Sequence, residues 1–133
     1  MASNESPDFA TCQPVLEVAD LAEAVRYYTQ VLGFGLDFQA GEPPVYACVS
    51  RGGLSAGAPA SIRFTNWYRD KDQPAGGGWL SFYVDSGLDE LHAELTGRGA
   101  EVSWEIGDRP WGMREFEIRD LNGHYLRFGS EAG

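Results

Sequence analysis

The period of apolar and polar positions changes along the chain, and each change marks an element. Gln13 to Val18 alternate loosely, as a half-buried strand does. Leu21, Ala24, Val25, Tyr28, Val31 and Leu32 then recur at helical spacing. Asp20 with Glu23 makes a capping box at the start of that helix, and Gly33 closes it. Phe34 to Phe38, Val45 to Val49 and Ser61 to Thr65 read as strands, separated by turns at Gly41-Glu42-Pro43-Pro44 and Arg51-Gly52-Gly53. The pattern lapses over Asn66 to Gly78, where Gly76-Gly77-Gly78 suits a connection better than a regular element.

It then starts again. Trp79 to Val84 reads as a strand, and Ser86 with Asp89 offers a second capping box. Leu88, Leu91 and Leu95 line a helix face that ends at Gly97 or Gly99. Ala100 to Ile106 and Arg114 to Arg119 read as strands, Leu121-Asn122-Gly123 as a hairpin turn, and His124 to Phe128 as the last strand. Val18 to Leu21 matches Val84 to Leu88, and Ser61-Ile62-Arg63-Phe64 matches Tyr125-Leu126-Arg127-Phe128. The chain is an internal duplication of β-α-β-β-β. Module 1 spans about residues 9–65, the linker 66–78 and module 2 79–129, within one domain over 1–133. A single half would leave a sheet face bare, whereas two halves side by side can enclose a cleft with helices outside. The fold class is α+β.

Composition narrows the function. At 133 residues with 43% apolar content, the chain is long enough for a real core. Its net charge of −10 disfavours nucleic acid and attracts cations at long range. No apolar run approaches a bilayer span, and Met1 to Asp8 reads as a loose tail, not a signal peptide. Cys12 and Cys48 are expected to be free, mostly buried thiols in a reducing cytoplasm. His92 reads as a partly exposed helix residue and His124 as a surface turn residue, so neither is expected to be a base. The glycine run lacks the Lys-Ser/Thr of a phosphate-binding loop.

Three sets of residues carry a resemblance. They are Val18-Ala19-Asp20-Leu21 followed by Tyr27-Tyr28 and Leu32-Gly33-Phe34; Arg119-Asp120-Leu121-Asn122-Gly123; and Arg109-Pro110-Trp111-Gly112 with Arg114-Glu115-Phe116. Together with Pro14-Val15-Leu16 and Gly87-Leu88-Asp89-Glu90-Leu91, the chain resembles the glyoxalase/bleomycin resistance/dioxygenase (vicinal oxygen chelate) superfamily, and within it the bleomycin-resistance branch. The resemblance implies two tandem βαβββ modules forming a curved sheet cleft, in a homodimer that exchanges its N-terminal strand. Pro14 suits the extended arm of such an exchange.

Superfamily enzymes hold a metal at four equivalent points, which fall here on Gln13, Arg63, Trp79 and Arg127. Divalent metals take imidazole, carboxylate or thiolate, so neither metal nor other cofactor is expected. The resemblance implies a ligand groove instead, with Trp111 as stacking platform beside Gly112 and Met113, Phe38 and Phe82 as aromatic walls, and Asp37 attracting a cationic tail. Tyr46 stands as a further groove aromatic, and Trp67 and Tyr68 rim the groove or pack over the sheet edge. The expected function is non-enzymatic sequestration of an antibiotic: bleomycin-like, metal-chelated or not, or another planar drug such as a mitomycin or an enediyne. The alternatives are a metal-dependent glyoxalase-like lyase or thiol transferase with an atypical site, and a small-metabolite-binding protein.

Overall fold

The computed structural model describes residues 7–8, 11–53, 58–67, 72 and 75–133. The elements run β1 (Val15–Glu17), α1 (Leu21–Arg26), β2 (Gly35–Ala40), β3 (Tyr46–Arg51), β4 (Ala60–Thr65), β5 (Trp79–Tyr83), α2 (Leu88–Gly97), β6 (Glu101–Asp108), β7 (Met113–Arg119) and β8 (Tyr125–Glu131). They form two sheets, β1-β4-β3-β2 and β5-β8-β7-β6, each with one parallel pair followed by antiparallel ones. This is the duplicated βαβββ plan of an α+β fold.

The duplication holds in register. Val15 pairs with Arg63 as Ser81 pairs with Arg127, and the Val18 amide donates to Thr65 O (3.0 Å) as the Val84 amide donates to Gly129 O (2.7 Å). Both modules also carry a bulge at the same place. Leu36 pairs with Val49 but Phe38 with Cys48; Val102 pairs with Ile118 but Trp104 with Glu117. An inserted residue reverses the alternation beyond it. The aromatic on the far side of each bulge therefore turns from the core to the opposite, open face.

The helices cover the other face. Leu16, Ala47, Val49, Ile62 and Phe64 from the first sheet meet Leu21, Ala24, Tyr28 and Leu32. Phe116, Ile118, Leu126 and Phe128 from the second meet Leu88 and Leu95, and all of these form one continuous core. α1 is capped as its sequence implies, with Asp20 Oδ1 accepting the Glu23 amide at 3.0 Å, and it runs on through a π-helical segment, Tyr27–Val31. α2 is not capped by Ser86. Gly87, in the left-handed conformation, is its N-cap, without a side-chain hydrogen bond. Asp89 turns instead to Arg114 of β7, whose guanidinium donates to its carboxylate at 3.0 Å.

Three buried polar groups join the modules. Tyr28 Oη donates to Asp120 Oδ2 at 2.6 Å, while Asp120 Oδ1 accepts the amides of Asn122 (2.8 Å) and His124 (2.9 Å). His124 is a correction to the sequence reading: it is 3% exposed. Its Nδ1 accepts the Gly78 amide at 3.1 Å, so Nε2 carries the proton and donates to Glu17 O at 2.9 Å. The turn residues after β7 thus fasten module 2 onto module 1. Cys48 is buried as expected, but Cys12 is exposed, because it precedes the first paired residue of β1.

Candidate functional site

Opposite the helices, each sheet presents an open face, and the expected site residues divide between them. On the first sheet, Phe38 and Tyr46 stack with ring centroids 6.3 Å apart, and the Arg63 guanidinium lies 5.4 Å from the Phe38 centroid and 6.0 Å from that of Tyr46. Gln13 Oε1 accepts Arg63 Nε at 2.6 Å and orients it. The Tyr46 phenol, ahead of Cys48 and Asp37, raises the Arg63 pKa further above its ordinary value. Asp37 accepts the Ser50 hydroxyl at 3.0 Å and has the Cys48 thiol 3.6 Å away.

The second face is richer. Two guanidiniums lie over the Trp104 ring, that of Arg109 at 3.6 Å and that of Arg127 at 4.8 Å from its centroid. Trp111 tilts against Trp104 at 6.2 Å, and Arg127 also covers Trp79 at 5.1 Å. Buried carboxylates hold the rings in place. Trp111 Nε1 donates to Glu115 Oε1 at 3.0 Å; Glu117 accepts from Trp79 Nε1 (3.0 Å), Ser103 Oγ (3.0 Å) and Arg127 (3.3 Å). Both glutamates are 8% exposed, whereas Trp79 and Trp111 are 65% and 59% exposed. The arrangement is a ladder in which indoles and guanidiniums alternate, Trp79, Arg127, Trp104 and Arg109, beside hydrogen-bonded carboxylates. Open indole faces offer stacking and area burial to a flat guest.

Trp111 sits on the turn between β6 and β7, which closes through Arg109 N to Met113 O (2.6 Å) and Gly112 N to Arg109 O (3.1 Å). Gly112 and Met113 belong to that turn. Phe82 lies on the helix-packed side, stacked on Phe128 at 4.9 Å, and joins neither aromatic cluster. With Gln13, Pro14, Ile62 and Leu80 it borders a separate cavity of about 400 Å³ between the modules. Trp67 is 66% exposed beyond the end of β4, with no ring partner among the described residues, and Tyr68 lies outside them. Sequence reasoning passed over Trp104, Glu115 and Glu117. Simple alternation puts Trp104 with Val102 and Ile106 in the core, and only the bulge turns it outward. The alternation of Glu115 and Glu117 with Phe116 and Ile118 was the signal available for the two glutamates.

The four points where a metal would sit do not fit one. They offer an amide oxygen already used by Arg63, two guanidiniums and an indole that donates to Glu117. None of the last three can ligate a cation, and the two guanidiniums repel it.

Residues 12–128 match a single family model. The chain belongs to the Glyoxalase/Bleomycin resistance protein/Dioxygenase superfamily. Crystal structures of the same fold include TioX from Micromonospora sp. ML1, 22% identical, with a TM-score of 0.73, covering 93% of this chain and 100% of that one. A glyoxalase-related enzyme from Clostridium phytofermentans is also 22% identical, with a TM-score of 0.73 and 95% and 98% coverage. The bleomycin-binding protein from bleomycin-producing Streptomyces verticillus, complexed with copper(II)-bleomycin, is 24% identical, with a TM-score of 0.68 and 96% and 99% coverage. No curated protein sequence matches the chain. The superfamily thus places both enzymes and binders on this fold. No helix of the described residues is long and apolar enough to cross a membrane.

Proposed function

We propose that this superfamily member binds a planar aromatic antibiotic without transforming it, and protects by sequestration. The observation that carries the reading is the indole and guanidinium ladder of Trp79, Trp104, Trp111, Arg109 and Arg127 on an open sheet face. Stacking on such a face is worth about 0.5–1.5 kcal/mol per ring pair beyond area burial. The same points that build this face fail to supply metal ligands, which speaks against a metal-dependent lyase or transferase. In this reading Phe38, Tyr46 and Asp37 of the first sheet supply a second wall to the ligand, and Gly112 and Met113 shape the rim around Trp111.

The active unit in this reading is a homodimer with an exchanged N-terminal strand. Trp79, Tyr83 and Val15, all exposed on strands at sheet edges, support it. Light scattering returning a monomer at micromolar concentration would exclude it. The binding test is a tryptophan-fluorescence titration against bleomycin with and without copper, a mitomycin, an enediyne and simple metabolites. Saturable quenching by one drug class is the expected result. Turnover of any of them by purified protein would replace this reading with the enzymatic one.

A further inference from the structure

Trp104 and Trp111 of the second face are fastened by one arginine, and its role in binding rests on the aromatic-binding reading above. β6 departs from regular pairing a second time after Trp104. Trp104 stands opposite Glu117 but Gly107 opposite Glu115, a step of three residues on β6 against two on β7. Backbone groups at such a bulge drop out of the ladder and take other partners. Arg109 supplies them. Its side chain turns back along β6, and Nη2 donates to Glu105 O at 2.6 Å and to Glu115 O at 2.9 Å, tying the two strands across the irregular stretch.

Gly107 leaves room for that path. A Cβ there would lie 3.0 Å from Arg109 Nη1, although the Gly107 backbone is not in the left-handed region that calls for glycine. Held this way, the guanidinium lies 3.6 Å from the Trp104 centroid, the shortest cation–ring distance among the described residues. Trp111 tilts against Trp104 at 6.2 Å, and its Nε1 donates to Glu115 Oε1 at 3.0 Å. Glu115 is thus a shared anchor, its carbonyl for Arg109 and its carboxylate for Trp111. Side chains left free must be ordered when a guest binds, at a cost to affinity; side chains fixed beforehand avoid that cost.

We propose that Arg109 is a positioning residue of the binding site: without touching the guest, it fixes the Trp104 and Trp111 rings as the pair on which a flat guest stacks.

The test uses an uncharged planar probe, 2-naphthalenemethanol, so that loss of the Arg109 charge is not itself read as loss of attraction. Two quantities are measured on the intact protein: probe affinity by calorimetric titration, and the exciton-coupled circular dichroism of the indole pair, assigned by its disappearance in Trp104→Phe. Arg109→Gln removes the guanidinium. Gly107→Val keeps Arg109 but displaces its head, and a β-branched residue suits a strand. In both variants the couplet should collapse and the probe should bind about three- to tenfold more weakly, the cost of ordering one or two side chains on binding. Affinity within about twofold of the unaltered protein in either folded variant overturns the proposal. So does a couplet that persists while binding weakens, which would make Arg109 a direct contact of the probe. If Arg109→Gln does not fold, Gly107→Val decides alone. Unweakened binding in the variants sinks the positioning role and leaves the aromatic-binding reading standing. If the unaltered protein does not bind the probe, that reading falls first and takes this one with it.

Discussion

Tyr27 and Tyr28 are neighbours in sequence, and removing one hydroxyl from each should give opposite results. Tyr28 is fully buried and donates to Asp120 Oδ2 at 2.6 Å, a charge-assisted bond to the carboxylate that also anchors the Asn122 and His124 amides. Hydrogen bonds to charged groups contribute about 1.5–3 kcal/mol, and a carboxylate oxygen left without a donor in the core puts Tyr28→Phe at about 2–3 kcal/mol of lost stability. With an unfolding entropy of about 2 cal/mol/K per residue over 133 residues, Tm should fall by about 7–11 °C. The Tyr27 hydroxyl is buried too, but it has no hydrogen-bond partner among the described residues. Tyr27→Phe removes an unsatisfied group and should be neutral or stabilising by up to about 1 kcal/mol. Urea denaturation at pH 7, with the m-value checked for constancy, measures both. Equal losses in the two variants, or a Tyr28→Phe cost under about 0.5 kcal/mol, would refute the assignment of Asp120 as the polar anchor between modules. The same pair sets an alkaline limit. Burial, then Asp120, pushes the Tyr27 pKa to about 12 and that of Tyr28 well above its ordinary value. The unfolded chain therefore releases these protons first, at about pH 10, and stability is full below that and falls as pH rises beyond it.

Other outcomes follow from single contacts. Glu94 accepts both terminal nitrogens of Arg51 at 2.8 Å, which with Arg98 lowers its pKa, in a partly exposed link between α2 and the end of β3. Glu94→Gln should cost about 1 kcal/mol at pH 7, and the difference should vanish in acid-denaturation curves as pH falls through the depressed carboxylate pKa, because that contribution exists only above it. Gly76→Ala should cost roughly 2–4 kcal/mol, since a Cβ there would lie 1.9 Å from Asn122 O at a φ of +106°. Gly52→Ala, at +86° with open space around it, should cost only about 1–2 kcal/mol of backbone strain. Thermal melts separate the two. Trp111→Ala should weaken binding of the drug by about 1–3 kcal/mol with little change in Tm, the indole being an exposed platform; an unchanged Kd would place the ligand elsewhere.

Local pattern was enough for the architecture. The 3.6-residue spacing from Leu21 to Leu32, the alternation of β7 and β8, and the repeat of Ser61-Ile62-Arg63-Phe64 as Tyr125-Leu126-Arg127-Phe128 are properties of short segments, and each module folds as those segments dictate. The equivalence of Arg63 and Arg127 was legible for the same reason, because a repeat carries its register with it. What escaped depends on partners distant in the chain. His124 reads as a turn residue until Gly78 and Glu17 close around it, and Asp89 reads as a cap until Arg114 claims it. The decisive case is Trp104. Sequence alternation assigns it to the core, yet one extra residue in the pairing of β6 with β7 rotates it onto the open face, where the guanidiniums of Arg109 and Arg127 lie over its ring. Which face an aromatic shows is set by the pairing of two strands, not by either strand alone, so the binding surface existed only once the sheet had formed.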